Sequence, residues 1–421
     1  AFQYKDTDKE IPVIAEELRV AHVLEGSVRK AGNTIRITAQ LIHGPTDAHV
    51  WSKTWDRELD DIFAIQDEVA EQVVDRLKVE LLGPTPTTRK VDPAAYTLFL
   101  KAEHIMTYGL PGKSYDVAET EAVALLERAI EIEPTYVDAM NTLSIILLRV
   151  WRNQPYPRDD AVLERSDEVL RQALELDPHD PVALSYVAWG GVNQLRPVAE
   201  TAAMIEDAFN NEPTSFEVAR MAMLFARTIG RSEVAAAIGE YVAARDPRHA
   251  GAYYNLSQLY RETGDFEKAT EAGNIAQALG MNLDFSIANT ALYDGNPEPM
   301  LAIMEGQSEH NFQSLSALAR AFYTAGRMRE SDERMAELRE RYAEKVPLAV
   351  AMAHAWRGEA DAAYELLSIV LDREALLALL VVIDPTTKPI RSDRRWEDVL
   401  RRLQRHPDQL ANVRFEPKIP D

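Results

Sequence analysis

The sequence predicts a mainly α-helical chain. We expect a solenoid of about eight stacked helix pairs, preceded by a small partial α/β module with a three-stranded antiparallel sheet. Three observations predict it. The stretch LEGSVRKAGNTIRITAQLI (Leu24 to Ile42) places Val28, Ile35, Ile37, Ala39 and Leu41 at near-alternate positions, around the turn residues Ala31-Gly32-Asn33. Almost everything after Asp60 carries helical periodicity. Acidic-Pro punctuation recurs at Pro134, Pro178, Pro213 and Pro247, and the interval from Pro213 to Pro247 is about 34 residues, the length of one helix-turn-helix repeat.

Taken in order, Pro12 to Val20 is a short helix. Val23 to Lys30 and Thr34 to Ile42 pair as a hairpin. Gly44-Pro45-Thr46-Asp47 is a turn. His49 to Glu58 is a third strand, with Val50, Ser52 and Thr54 on one face and Trp51, Lys53 and Trp55 on the other. Asp60 or Asp61 caps a helix whose apolar stripe is Ile62, Ile65, Val69, Val73 and Leu77. The expected organisation is a partial α/β module over 1–83, a Pro/Thr-rich linker over 84–92, the helical array over 93–389, and a capping helix with its tail over 390–421. The capping helix IRSDRRWEDVLRRLQRH (Ile390 to His406) is required because the last pair of a solenoid otherwise exposes an apolar face.

Composition narrows the function. The 421 residues are 46% hydrophobic and 27% charged, as in a folded soluble protein. A formal net charge of −22 argues against nucleic acid or an anionic membrane as the main partner. No cysteine is present, which excludes disulfides, zinc-thiolate sites and thiol catalysis. The longest apolar runs, such as Leu376 to Ile383, are too short to span a bilayer.

The repeat pattern resembles the tetratricopeptide repeat (TPR). Tyr253, Leu256, Ser257, Tyr260, Gly264, Asp265, Ala269 and Ala276 fall at its spacing, while Gly273 and Met281 replace an aromatic and a proline. Leu318, Ala319, Phe322, Gly326, Ser331 and Met335 give a second register, and Ala351, Gly358, Ala363 and Leu367 a third. Small residues such as Ala269 and Ala319 let paired helices approach; Tyr260 and Phe322 fill the next layer; Gly264 and Gly326 end first helices. The unit between Asn282 and Gly306 is degenerate.

The leading segment resembles the TolB amino-terminal-like, or FlgO-like, domain that precedes TPR arrays in many bacterial proteins. The resemblance rests on Leu24-Glu25-Gly26-Ser27-Val28-Arg29, Arg36-Ile37-Thr38-Ala39-Gln40-Leu41, Trp51, Trp55-Asp56-Arg57 and Ile62-Phe63-Ala64-Ile65-Gln66-Asp67. That domain ordinarily opens with a further strand and helix, so the chain is expected to start inside it. The resemblance implies a bacterial sensor, scaffold or regulator. It also implies an alternative: a regulatory segment of a larger membrane-linked signalling protein, controlling an upstream nucleotide cyclase or winged-helix DNA-binding domain absent from this chain. An upstream span or signal would place the chain in the periplasm; otherwise it is expected in the cytoplasm.

Catalytic signals are weak. Gly109-Leu110-Pro111-Gly112-Lys113-Ser114 has Thr107 where a phosphate loop needs glycine, and no strand precedes it. Asp56, Glu58, Asp60 and Asp61 are better explained by helix capping than by a hard metal. The nine histidines form no ligand pair. Trp51 and Trp55 read as core before ligand platform. Arg391, Arg394, Arg395, Arg401, Arg402 and Arg405 alternate with acids and read as a solvated cap. Asn255-Leu256-Ser257 matches a glycosylation sequon only by letters. The expectation is therefore a non-enzymatic scaffold without cofactor or metal.

First helices line the concave face of a TPR superhelix. The register puts Asn141, Ser185, Trp189, Asn193, Arg220, Arg227, Tyr254, Gln258, Arg261, Arg320 and Tyr323 on it. The four arginines would suit an acidic segment or a C-terminal carboxylate of a protein or peptide partner. The competing reading is that they pair with acids inside the array. The sheet edge left open by the missing strand is expected to be covered, by a second copy in a homo-oligomer or by the array.

Overall fold

The computed structural model describes residues 4, 9–18, 20–31, 34–58, 68, 91–108, 110, 113–154, 159–190, 197–304, 310–373, 379 and 381–420. The predicted stripe helix from Ile62 to Leu77 apart from Glu68, most of the linker, and Gly109, Pro111 and Gly112 lie outside them. The chain divides into two compact units, Ala1–Ala139 and Met140–Asp421.

The first unit opens with α1 (Ile11–Leu18) and the strands β1 (His22–Ala31), β2 (Thr34–His43) and β3 (Ala48–Glu58). They form one antiparallel sheet in the order β1-β2-β3. The register sets Ile37 opposite Trp55 and Leu41 opposite Trp51. Side chains alternate across a strand, so Ile35, Ala39, Leu41 and Trp55 share one face and are buried. The opposite face is polar: Arg36 Nε donates to Asp56 at 2.6 Å, and Thr38 and Thr54 share a 3.1 Å hydrogen bond. At the sheet margin, Leu24 and Val28 of β1 are exposed. Two helices complete the unit, α2 (Pro93–Tyr108) and α3 (Tyr115–Ile132), packed on each other.

Helix α4 (Val137–Asn153) spans the boundary. The second unit continues with α5 (Asp160–Leu176), α6 (Pro181–Gly190), α7 (Val198–Asn211), α8 (Phe216–Thr228), α9 (Ser232–Arg245), α10 (Ala250–Thr263) and α11 (Phe266–Ala278). It ends with α12 (Asp284–Tyr293), α13 (Glu298–Met304), α14 (Phe312–Thr324), α15 (Met328–Tyr342), α16 (Pro347–Trp356) and α17 (Ala360–Arg373). Among the described residues no strand follows Glu58. The predicted mainly α solenoid, with a small three-stranded sheet before it, is what the structure shows.

The local signals act as their chemistry dictates. Pro134, Pro178, Pro213 and Pro247 each lie in a turn joining one helix pair to the next. Ser215, Asp265 and Asn311 cap α8, α11 and α14 by accepting from backbone amides. Gly264 and Gly326 end α10 and α14 at φ values of +86° and +74°. An L side chain at Gly264 enters the left-handed region, so Gly264→Ala is expected to cost about 1–2 kcal/mol, read from the thermal or urea midpoint.

Buried hydroxyls stitch paired helices together. Ser257 Oγ donates to Ala269 O, and Ser331 Oγ to Ala319 O, each at 2.7 Å. Ala269 is fully buried. Ala269→Leu should overpack the α10–α11 seam and destabilise the array by about 1–3 kcal/mol; an unchanged unfolding midpoint would refute the register. The degenerate stretch from Asn282 to Gly306 holds the pair α12–α13, with a second helix of only 7 residues. Its buried Met300, Leu301 and Met304 pack with Leu292, Leu318 and Phe322, which keeps the stack continuous.

Candidate functional site

Most of the predicted groove residues lie on first helices, and the structure gives them partners inside the second unit. Asn141 of α4 donates to Asp180 Oδ1 at 2.8 Å, and Asp180 also caps α6 at the Ala183 amide. Ser185 and Trp189 are buried in α6. Tyr254 and Gln258 are half-buried on α10. Asn193 lies outside the described residues.

The arginines divide into two kinds. Arg220 chelates Glu217 through Nε (3.0 Å) and Nη2 (2.9 Å) and bonds the Tyr186 hydroxyl, whose proton goes to Glu217. Arg227 is 6% exposed, and its Nε donates to Glu262 Oε2 at 2.8 Å. Burial pushes the Glu262 carboxyl above its usual range while Arg227 pulls it down. Arg261 and Arg320 differ. Among the described residues neither has an ion pair. Arg261 Nη1 reaches Ser286 Oγ at 3.3 Å, and Arg320 Nε reaches Ser316 O at 3.3 Å. Both guanidinium groups stand over the Tyr293 ring, at 5.7 and 6.0 Å. Burial and Asp384 push the Tyr293 phenol up to about 12.

Sequence reasoning missed what faces these helix ends. A segment beginning at Asp384 contributes a 3₁₀ turn (Pro385–Ile390), α18 (Arg395–Arg402) and α19 (Pro407–Leu410). Its first part packs on the last pair, but the single helix expected from Ile390 to His406 is not formed: a 3₁₀ turn ends at Ile390 and α18 is confined to Arg395–Arg402. The Tyr364 hydroxyl donates to Ile390 O at 2.9 Å, and Arg402 pairs with Asp372 at 2.5 Å. It also runs along the C-terminal turns of earlier first helices. The Tyr293 hydroxyl donates to Asp384 at 3.1 Å at the end of α12. Arg405 Nη2 approaches Thr228 Oγ1 at 3.5 Å at the end of α8. Arg231 Nη2 donates to Val413 O at 3.3 Å, and Phe415 packs edge-on against Phe225 with centroids 5.0 Å apart. In the sequence, Val413 and Phe415 alternate in a polar tail but are too few for a periodicity signal.

A tetratricopeptide-repeat family model matches residues 250–272, which form α10 and the first half of α11. The chain carries a tetratricopeptide repeat over these residues. The chain has a curated relative, the putative adenylate cyclase 3 of Rhizobium meliloti (strain 1021), 37% identical over 186 residues. That match takes in 43% of this chain and 31% of the relative, so the chain spans about a third of the relative's length. Among solved structures, PilW, a type IV pilus biogenesis factor, is similar over 60% of this chain and 95% of its own, at 15% identity and a TM-score of 0.33. PilF of Pseudomonas aeruginosa is similar over 59% and 92%, at 14% identity and a TM-score of 0.31. The described part of the array has no cluster of His, Asp or Glu able to hold a metal ion, and no helix long and apolar enough to cross a membrane.

Proposed function

We propose that the chain is a non-enzymatic scaffold that takes a protein or peptide partner on the first-helix face of its TPR array. One observation carries the reading: half-buried Arg261, over the Tyr293 ring, forms no ion pair among the described residues, while Arg320 on the same ring is only 7% exposed. A guanidinium in no ion pair beside an aromatic ring suits an acidic partner segment. Arg220 and Arg227 serve the array's own packing through Glu217 and Glu262. The resemblance of the leading strands to the TolB amino-terminal-like domain supports a bacterial sensor or signalling setting. A photo-crosslinker at Tyr254 or Gln258 should capture a partner from the native host. The same group at Arg329, on the opposite helix α15 and 87% exposed, should not. Equal capture from both positions would count against the inner face.

A second reading is favoured by the named relative. A putative adenylate cyclase shares a stretch with this chain, so the array is also proposed as the regulatory part of a longer signalling protein. Cyclic nucleotide formation by the full-length gene product, with and without the array, separates the two. Activity independent of the array would dispose of the regulatory reading.

A further inference from the structure

The stretch after α19 is built like a bound peptide. Residues 413–420 have no helix or ladder of their own. Burial alternates strictly from Val413: Val413 and Phe415 are inside, Arg414 and Glu416 outside. A period of two is that of an extended strand. Phe415 is fully buried against Phe225 of α8. The backbone is gripped by helix side chains: the Glu416 amide donates to Glu206 Oε2 at 2.8 Å, and the Lys418 amide to Asn210 Oδ1 at 2.7 Å, both on α7. Arg231 donates to the Val413 carbonyl. These amides are two residues apart and face one helix, as a strand's amides do.

This mode of holding reads little sequence. The hydrogen bonds go to main-chain atoms, which every segment offers, and selectivity rests on Val413 and Phe415. Backbone bonds for affinity with alternate side chains for specificity is how peptides are recognised in extended form. The segment is also imperfectly satisfied where it joins α8. Arg405 is 5% exposed, has no carboxylate among the described residues, and its Nε has no partner. A buried charge without a counter-ion offsets part of what the apolar anchors gain.

We propose that residues 413–418 are a built-in occupant of a peptide-docking surface on α7 and α8. An extended partner segment with an aliphatic residue, and an aromatic two positions later, displaces them. This inference rests on the scaffold reading and adds a second docking surface, closed by the chain itself until a competitor arrives.

The test uses the full chain and a fluorescein-labelled peptide of its own residues 409–421 as probe, followed by anisotropy. In the unaltered chain the tethered segment competes at an effective concentration of order 1 mM, so probe binding should be weak. Phe415→Ala should vacate the surface and raise probe affinity at least about tenfold. A probe with alanine at the phenylalanine position should lose about tenfold or more, and Asn210→Ala in the vacated chain should weaken probe binding. A second form carries a protease site between Leu410 and Ala411; cutting and dilution free the surface without changing the anchor. Uptake of the probe by the cut chain supports the inference even if Phe415→Ala does not fold. Failure of the cut chain to bind, or equal binding of the alanine probe, overturns it. The probe is the chain's own sequence, so that failure leaves the scaffold reading to the crosslinking result.

Discussion

Glu262→Ala is expected to destabilise the second unit by about 3–5 kcal/mol, because it strands a buried guanidinium. Arg227 is 6% exposed, and Glu262 supplies its carboxylate from the next repeat. Chemical denaturation of the isolated variant checks it, and a loss under about 1 kcal/mol would mean the pair is solvated. The double variant Arg227→Met, Glu262→Leu should recover most of the loss, since replacing both members of a buried pair by apolar groups is often neutral. The pH dependence has a definite sign. Burial raises the Glu262 pKa in the fold, so the folded state binds the proton more tightly. The contribution from this group is therefore full below the unfolded pKa and is lost as pH rises through the folded value. Glu262→Gln should flatten that slope just above the ordinary carboxylate range.

Trp55→Ala is expected to remove about 3–5 kcal/mol from the leading sheet. Trp55 is 2% exposed, lies opposite Ile37 and packs with Ile35 and Ala39. Its ring centroid is 5.8 Å from that of Trp51, with the rings tilted by 56°, so loss of near-ultraviolet circular dichroism from the indole pair gives a direct readout. Trp51→Ala should cost less, because Trp51 is half-buried. Equal losses would contradict the difference in burial between the two indoles.

Helix pairs were legible because each carries its own punctuation. The turn prolines, Gly264 and Gly326, and the small residues Ala269 and Ala319 are local signals, readable without knowing what lies elsewhere in the chain. Alternation in β2 was legible for the same reason: one face is buried and the other solvated. The arginines were not resolved, since a guanidinium's partner is set by the stacking of repeats. Arg227 meets Glu262 35 positions on, and Arg220 meets Tyr186 34 positions back. Both separations are close to one repeat length, so a reading that compared equivalent positions in neighbouring repeats would have paired them. The C-terminal segment from Asp384 escaped for a different reason. Its arginine-rich helix has the composition of a solvated surface, and two apolar residues in the tail are too few for a periodicity argument. Only the folded array shows that Val413 and Phe415 have a place to go.

Most solenoids are assembled from neighbours alone, so each repeat can fold as soon as the next one packs on it. Here the Glu206 and Asn210 side chains are completed by amides 210 and 208 positions later. During synthesis the α7–α8 pair therefore leaves the ribosome with its tail surface uncovered and stays so until nearly all the remaining chain has been made. At about 5–20 residues per second that interval lasts on the order of ten seconds or more. For that period Phe225 lacks the aromatic ring that later covers it, and the nascent chain presents to chaperones an apolar surface that the finished protein does not.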